Sequence, residues 1–285
     1  MADRQSIVIT GASTGIGWGT TKVLLQKGFR VYGTVRRQAD ADRLQAEFGE
    51  PFTPLIMDVT DAEAIARAAA RVSADLKGQK LFGLVNNAGI AVPGPLLHLS
   101  AEEFRFQLEV NVIGPHVVTQ AFAPLLGSDR SRQGNPGRIV QISSVGGKLG
   151  VPFLGAYVAS KHAMEGMSET LRRELMLYGI DVILIEPGAV VTAIWDKAEA
   201  NDYSAFMGTD YGPMIERFTK FFVEDGRKGL RPEQLGEAVW VALTAKKPKV
   251  RYAVVPQRLK NWTIPMSLPS RMLDKMIGKQ LGMIS

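Results

Sequence analysis

Tyr157 and Lys161 are four residues apart in the segment Tyr-Val-Ala-Ser-Lys. In a helix, residues i and i+4 lie on one face, so the phenol and the ammonium group would point the same way. A free tyrosine has a pKa of about 10, which is too high for efficient proton transfer at neutral pH. A nearby positive charge favours the phenolate and lowers that pKa. The pair could therefore act as a general acid/base, although this spacing also occurs by chance in many helices.

A glycine-rich segment, 10–17, separates a predicted strand from a predicted helix. Gly11 suits a tight turn, while Gly15 and Gly17 let the backbone approach a pyrophosphate and let the helix pack on the strand. The unpaired N–H groups at a helix start attract phosphate. A plain strand-to-helix turn is the alternative, but this position favours a dinucleotide. The candidate cofactor-binding residues here are Gly11, Ser13, Thr14, Gly15, Ile16 and Gly17.

Arg36 and Arg37 follow the second predicted strand, where many dinucleotide-binding folds carry an acidic residue for the ribose 2′-hydroxyl. Arginine binds phosphate with two parallel hydrogen bonds, so this pair suits a 2′-phosphate. Asp40 and Asp42 come slightly later, at the start of the next helix, where they complement the helix dipole. We therefore predict NADP(H) in preference to NAD(H), the alternative being a pair of merely exposed arginines.

Apolar runs alternate with helical patterns along all 285 residues, of which 46% are hydrophobic and 22% charged. This alternation predicts one α/β domain over 1–285, with a doubly wound, Rossmann-type parallel sheet of about seven strands and helices on both faces. Two capping boxes are predicted, Thr60 with Glu63 and Ser100 with Glu103. The predicted strands are 6–10, 30–35, 53–57, 81–86, 138–142, 181–186 and 252–255. The predicted helices are 16–28, 40–48, 61–77, 100–126, 155–178 and 232–245.

Composition excludes several classes of function. The chain has no cysteine, and its histidines (His98, His116 and His162) are scattered, so no metal site is predicted. The net charge of +6 is spread out, and the one dense basic patch, 246–249, lacks interleaved aromatic residues, which argues against nucleic-acid binding. With neither a signal peptide nor a long apolar run in the sequence, we expect a cytoplasmic protein.

Residues 193–229 form a predicted irregular insert that is rich in aromatic side chains. They hold seven of the 22 aromatic residues (4 Trp, 6 Tyr and 12 Phe in all). The insert is therefore a candidate apolar lid over a hydrophobic carbonyl or alcohol substrate, although its aromatic residues could also simply pack a surface subdomain. The candidate substrate contacts outside the reacting groups are Val145, Leu149, Phe153 and Trp195.

The tail, 256–285, is predicted to be a loop followed by an amphipathic helix. Apolar residues recur at helical spacing between Met272 and Leu281, with Arg271, Lys275 and Lys279 on other faces. Packing on the chain's own domain is the favoured interpretation. Contact with a membrane surface or with another subunit is the alternative.

Together these features resemble the short-chain dehydrogenase/reductase family over about residues 5–255, with motifs that match in order and spacing. Within the family, three features most resemble the 17β-hydroxysteroid and retinol dehydrogenase branch: the stretch from Ser144, the arginine after the second strand, and the Glu186-Pro187-Gly188 end of the sixth strand. The motifs are the 10–17 loop, Asp58, Asn86-Asn87-Ala88-Gly89, Asn111, Ser143-Ser144, Tyr157 with Lys161, and Pro187-Gly188 with Thr192.

The resemblance implies a role for each candidate catalytic residue: Asn111, Ser144, Tyr157 and Lys161. Tyr157 would exchange a proton with the substrate oxygen, and Lys161 would lower the pKa of Tyr157 and bind the nicotinamide ribose. Ser144, 13 residues before Tyr157, would donate to the substrate oxygen, with Ser143 as the alternative. Asn111 would distort its helix and support a water chain to Lys161.

The resemblance also implies contacts to the cofactor beyond the glycine loop. It implies an NADP(H)-dependent oxidoreductase that works as a homodimer or homotetramer. A non-catalytic dinucleotide sensor and a sugar epimerase or dehydratase are the alternatives. The additional cofactor-binding residues implied are Asp58, Val59, Asn87, Ala88, Gly89, Pro187, Gly188, Val190 and Thr192, while Asn86 would steady the sheet.

Overall fold

The computed structural model of the chain describes residues 4–192, 195, 199 and 201–284. Seven parallel strands form one sheet in the order β3-β2-β1-β4-β5-β6-β7. They begin and end within two residues of the predicted boundaries. The strands are β1 (Ser6–Ile9), β2 (Arg30–Val35), β3 (Phe52–Ile56), β4 (Gly83–Asn86), β5 (Arg138–Ile142), β6 (Asp181–Pro187) and β7 (Arg251–Val254).

The helices flank this sheet on both faces. Helices α1, α2 and α9 pack with Ile7 and Ile9 of β1, whereas α3, α5 and α6 cover the face of Val8. This confirms the predicted doubly wound fold. The helices are α1 (Gly15–Gln26), α2 (Gln38–Phe48), α3 (Ala62–Leu76), α4 (Ala101–Leu108), α5 (Gly114–Ala123), α6 (Gly155–Glu174), α7 (Ser204–Met207), α8 (Gly212–Gly226), α9 (Pro232–Thr244), α10 (Ile264–Ser267) and α11 (Ser270–Leu281).

Successive residues of a strand point to opposite faces of the sheet. Both faces are apolar because the strands carry apolar residues at consecutive positions. Ile7, Val8 and Ile9 are all fully buried, which requires cover on both sides of β1. A strand buried on both faces reads as a continuous apolar run, which is why the sequence pattern identified these strands well.

Only one of the two predicted capping boxes forms. At α4, the Ser100 hydroxyl accepts from the Glu103 N–H at 3.1 Å and the Glu103 carboxylate accepts from the Ser100 N–H at 2.9 Å, as predicted. The prediction of a capping box at Thr60 is wrong. The N-cap of α3 is Asp61, because the Thr60 hydroxyl instead donates to the neighbouring Asp58 carboxylate at 2.8 Å.

The helix predicted over 100–126 is present but is not α-helical throughout. A π-helical segment, Glu109–Ile113, lies between α4 and α5 and contains Asn111, the residue expected to distort this helix. The Asn111 amide is bonded outside its own helix, and a π segment of this kind often marks a functional position. A second π segment, Pro124–Ser128, ends α5.

The insert is more regular than predicted, because 204–226 contain α7 and α8. Residues 193, 194, 196–198 and 200 lie outside the described residues. Phe206, Ile215 and Phe218 of the insert form an apolar cluster with Phe153 and with Leu281 of α11. The inner face of the tail helix therefore packs on the insert. No helix within the described ranges is long and apolar enough to cross a membrane.

Candidate active site

Helix α6 carries Tyr157 and Lys161 at the carboxyl edge of the sheet. Lys161 is only 5% exposed, and its Nζ atom donates a hydrogen bond to the Ile142 carbonyl oxygen at 2.8 Å. The same Nζ atom lies 5.7 Å from the centroid of the Tyr157 ring. The helical spacing thus brings phenol and ammonium together, and the end of β5 holds the lysine in place.

Burial shifts the pKa of both groups. It lowers the pKa of Lys161 to about 8, with the negative charge of Glu165 opposing the change. It raises the pKa of Tyr157, with a hydrogen-bonding contact to Ser144 opposing the rise. In this structure the net shift of the Tyr157 pKa is upward, opposite to the expected lowering, because desolvation of the phenolate is its largest cause.

Ser144, two residues after the end of β5, begins a 3-10 turn, Val145–Gly147. Its Oγ atom accepts from the Gly146 N–H at 3.0 Å, which leaves the hydroxyl proton available for donation. A Cβ atom at Gly146 would lie 3.3 Å from the Tyr157 ring, so this turn packs closely against the tyrosine. The Oγ atom of Ser143 is buried, has no partner among the described residues, and faces Gly147 instead.

Asn111 links three segments at the floor of the site. Its Oδ1 atom accepts from the Ile90 N–H at 2.9 Å, while Nδ2 donates to the Ile90 carbonyl at 2.9 Å and to the Ser160 hydroxyl at 3.0 Å. Ser160 directly precedes Lys161 on α6. Gln107 was missed by sequence reasoning, yet it bonds the same loop, accepting from the Val92 N–H at 2.7 Å.

The glycine loop has the backbone geometry of a phosphate cradle. Gly11 and Gly15 have φ angles of +67° and +58°, a region that disfavours other residues. A Cβ atom at Gly17 would lie 2.1 Å from the Gly11 carbonyl oxygen. Thr14 makes no side-chain bond to the first turn of α1, which has no acidic residue. These free helix-start N–H groups fit the pyrophosphate of a dinucleotide.

Neighbouring strands hold this loop in place. Asn87 Nδ2 donates to the carbonyl oxygens of Thr10 and Gly11 at 2.9 and 3.1 Å, and the Ala88 N–H donates to Thr10 Oγ1 at 3.0 Å. The Gly11 N–H donates to Thr34 Oγ1 at 3.1 Å. Thr34 is buried in a strand and lacks a recognised motif, so the sequence carried no signal for it.

The residues after β6 form the other wall. The Gly188 N–H donates to the Val254 carbonyl at 3.0 Å, and Val190 pairs with Leu230. A Cβ atom at Gly15 would lie 3.2 Å from Thr192 Cγ2, so the loop after Pro187 reaches the glycine loop. Thr192 thus lies beside the phosphate cradle, while Gly188 and Val190 hold the segment between β6 and Thr192 against β7 and Leu230.

The two arginines after β2 differ in their partners. Arg37 donates to the Asp40 carboxylate at 2.9 Å, whereas Arg36 Nη1 lies 3.9 Å from Asp58 and is 73% exposed. Asp40 lies in the first turn of α2 as expected, but its carboxylate also engages Arg37, whose guanidinium lowers its pKa. Arg43 was missed: it donates to the Ser13 carbonyl at 2.7 Å, beside the cradle.

The remaining candidates after β3 and β4 are mainly structural in their contacts. Asp58 accepts from the Thr60 N–H at 3.0 Å, Val59 is buried, and Asn86 Nδ2 donates to Thr119 Oγ1 at 3.0 Å. A Cβ atom at Gly89 would lie 3.1 Å from Asn111 Oδ1. The motif after β4 is therefore locked between the glycine loop and Asn111.

The predicted substrate contacts separate into two groups. Val145 and Leu149 are half-buried in and after the turn that Ser144 begins. Phe153 and Trp195 are buried and engaged by the insert: their rings meet Phe218 and Phe222 at centroid distances of 5.4 and 5.0 Å. The Trp195 Nε1–H also donates to the Val190 carbonyl at 2.6 Å, so this side chain packs the insert rather than an open surface.

A buried ion network lies one helical turn beyond Lys161. Glu165 accepts from Arg251 at 2.9 Å and forms an ion pair with Lys148 at 3.0 Å, and Arg251 also donates to Glu169 at 2.7 Å. Burial raises the pKa of nearby Glu186, and the charge of Glu165 adds to that rise. In the described part of the chain, no group of three or more His, Cys, Asp or Glu side chains is placed to hold a metal ion.

Comparison with known proteins places these features in a family. A family model described as short chain dehydrogenase matches residues 5–202. The chain is 40% identical to an NADPH-dependent 3-dehydrocapnine reductase of Ornithobacterium rhinotracheale, with 96% of each chain covered. It is 31% identical to human retinol dehydrogenase 5, over 97% of this chain and 91% of that protein, which agrees with the retinol dehydrogenase branch.

A solved short-chain dehydrogenase from Streptomyces avermitilis has a similar structure. Its TM-score is 0.76 at 26% identity, and the match covers 99% of this chain and 98% of that one. Sequence, fold and site motifs therefore agree on one assignment. The chain belongs to the short-chain dehydrogenase/reductase family, and it is an oxidoreductase that acts on CH–OH groups or the corresponding carbonyls.

Proposed function

We propose that this protein is an NADP(H)-dependent enzyme that interconverts a carbonyl and an alcohol on a hydrophobic substrate. The observation that carries the proposal is that Ser144, Tyr157 and Lys161 lie together, just after the C-terminal end of β5 and in the N-terminal part of α6. Lys161 is anchored on Ile142, and Ser144 is only two residues further along the chain. One strand end thus supports both the ammonium and the hydroxyl that flank the tyrosine.

Each of the three side chains has one task at the substrate oxygen. The Tyr157 phenol donates a proton to that oxygen during reduction, and the Tyr157 phenolate accepts one from the alcohol during oxidation. The Ser144 hydroxyl donates a hydrogen bond to the same oxygen. Lys161 supplies a fixed positive charge beside the phenol. The dinucleotide, when bound, supplies or accepts the hydride.

The proposed preference for NADP(H) rests on the residues after β2. Arg36 is largely exposed and its nearest carboxylate is 3.9 Å away, so its guanidinium is available to a 2′-phosphate. Arg37 is already bonded to Asp40, which makes it the weaker candidate. The NADPH dependence of the 3-dehydrocapnine reductase supports the same preference.

The proposed substrate class rests on the apolar cluster that adjoins Tyr157. Phe153, Phe206 and Phe218 are buried in this cluster, and Tyr157 packs at its edge. A carbonyl that reaches the phenol would meet mainly aromatic and aliphatic surface, which favours bulky apolar substrates over sugars. Human retinol dehydrogenase 5, a relative, is named for a hydrophobic alcohol.

The test is NADPH oxidation with a panel of carbonyl compounds: retinoid, steroid, long-chain and aromatic ketones or aldehydes against small sugars. We expect turnover with at least one apolar compound and a loss of about a hundredfold or more in Tyr157→Phe. Tyr178→Phe, which alters a tyrosine that contacts Arg130, is the matched control and keeps its activity. Tight NADPH binding without turnover on the panel would favour a dinucleotide sensor instead.

A further inference from the structure

The tail, described over 256–284, is mostly exposed. Only Gly278 and Leu281 are buried within it. We propose that this tail docks the protein on an anionic membrane surface. The exposed large apolar side chains in the tail are Leu259, Ile264, Met266, Met272, Met276, Met283 and Ile284.

Helix α11 has an inner and an outer apolar side. Ile277 and Leu281 turn inward and pack with Phe218 of the insert. Met272 and Met276, four residues apart on one face, point outward and are 52% and 51% exposed. A second apolar side serves no purpose in packing on the domain, and an exposed apolar patch of this kind marks an interaction surface.

The charge of the tail decides which occupant this surface fits. Five exposed basic residues stand against the single acid Asp274, so the segment carries a net charge of +4 (5 − 1). Two copies meeting on this face would repel each other, whereas anionic lipid headgroups would attract it. Flexible methionines flanked by lysines are suited to the boundary between headgroups and acyl chains. The basic residues are Arg258, Lys260, Arg271, Lys275 and Lys279.

The position of the surface connects it to the site. The apolar cluster that receives Ile277 and Leu281 also includes Tyr157. An open groove of about 620 Å³ lies between α11 and the start of α6, lined by Val151, Val158 and Met283 among others. A hydrophobic substrate could pass from the bilayer into this region without crossing water, a step that rests on the proposed function.

The test is flotation of the full chain with vesicles of phosphatidylcholine containing a quarter phosphatidylglycerol, against phosphatidylcholine alone. We expect binding to the anionic vesicles that weakens with added salt. Lys275→Glu with Lys279→Glu should lower the partition coefficient about tenfold or more, because each basic residue near the surface contributes substantially. Met272→Ser with Met276→Ser should lower it by a similar factor.

Two matched controls change equivalent side chains elsewhere on the surface. Lys246→Glu with Lys247→Glu alters the other dense basic patch, and Met176→Ser with Leu177→Ser alters two side chains that are each 67% exposed. Both should bind vesicles like the unaltered chain. Equal losses in the controls, no binding to either vesicle, or a dimer abolished by the methionine changes would each overturn the proposal.

Turnover of a water-soluble carbonyl compound separates this proposal from the proposed function. The tail variants should keep that activity unchanged, since none of the altered residues contacts Tyr157. If NADPH oxidation fails on the whole panel while vesicle binding persists, the proposed function falls and the membrane surface stands. If turnover is normal and vesicle binding is absent, the proposed function stands and the membrane surface falls.

Discussion

Lys161 and Ile142 are joined by a 2.8 Å hydrogen bond from the ammonium Nζ atom to the carbonyl oxygen. The bond ties α6 to the end of β5, so the strand that leads into Ser144 also orients the lysine. A carbonyl acceptor carries no full charge, and it offsets only part of the cost of burying an ammonium group. The site therefore holds a charge at the expense of stability.

Lys161→Met is expected to stabilise the protein while it abolishes most activity. The pKa of Lys161 is lowered from 10.5 to about 8 in the folded chain, so burial disfavours the charged form. The resulting cost is fully present below about pH 8 and fades as the pH rises towards 10.5. The free energy of unfolding should rise by about 1–3 kcal/mol at neutral pH and converge with that of the unaltered chain at high pH.

Urea unfolding at neutral and alkaline pH measures this difference, with exposed Lys246→Met as the control. The same variant should lower kcat and weaken NADPH binding together. A loss of stability at neutral pH would mean that the bond to Ile142 outweighs desolvation. A change confined to the substrate KM would contradict the role of Lys161.

Glu165→Gln is expected to move the alkaline limb of the kcat–pH profile. The carboxylate of Glu165 raises the pKa of Lys161 against the effect of burial, so removing its charge lowers that pKa further. If activity needs the ammonium form, kcat should begin to fall at a lower pH. Glu169→Gln is the matched control. Glu169 pairs with the same Arg251, but its charge is not among the causes of the shift in the pKa of Lys161.

Asn111→Ala and Gln107→Ala should differ in activity but not in stability. Each removal leaves one part-buried backbone N–H without its partner, that of Ile90 for Asn111 and that of Val92 for Gln107, at a cost of about 1–3 kcal/mol. Only Asn111 also bonds Ser160, beside Lys161. We expect kcat/KM to fall about tenfold or more in the Asn111 variant alone. Equal losses of activity in both variants would mean that Asn111 only supports the loop at Ile90 and has no separate effect on Lys161.

Ser144→Ala and Ser143→Ala test which serine serves the substrate oxygen. Ser144 contacts Tyr157, so its loss should lower kcat by about a hundredfold to a thousandfold. Ser143 has a buried hydroxyl with no partner in the described structure, so its replacement should leave both kcat and Tm nearly unchanged. Steady-state kinetics and thermal unfolding of the two variants give the answer, and reversed effects would exchange the assignments.

Arg36→Ser and Arg37→Ser test the origin of cofactor preference. Because the Arg36 guanidinium is the less engaged of the two, its loss should raise the Kd of NADPH about tenfold to a hundredfold and leave that of NADH unchanged. Arg37→Ser should have a smaller effect, since Arg37 already pairs with Asp40. Titration calorimetry with both dinucleotides measures these affinities. If the unaltered chain and both variants bind NADPH equally well, the arginines do not cause the preference for NADP(H).

The fold was predictable because its signals are local. Buried parallel strands such as β1 read as unbroken apolar runs, and the spacing from Ser100 to Glu103 specifies a helix start over four residues. Thr60 has the same spacing and fails, because Asp58, two residues earlier, takes its hydroxyl. Asn111 interrupts a helix through bonds to Ile90, a partner that no local pattern identifies.

For the site, the amino-acid sequence alone determined which groups are present: the glycine loop, the Tyr157–Lys161 pair on one helix face, and the arginines after β2. Tertiary structure decided the pKa values of these groups and their hydrogen-bond partners. It raised the pKa of Tyr157 by burial and bonded Lys161 to Ile142, a residue on another element of the fold. Spacing along a helix or strand is set by the backbone and is readable in sequence. Desolvation and long-range partners exist only once distant segments have packed together.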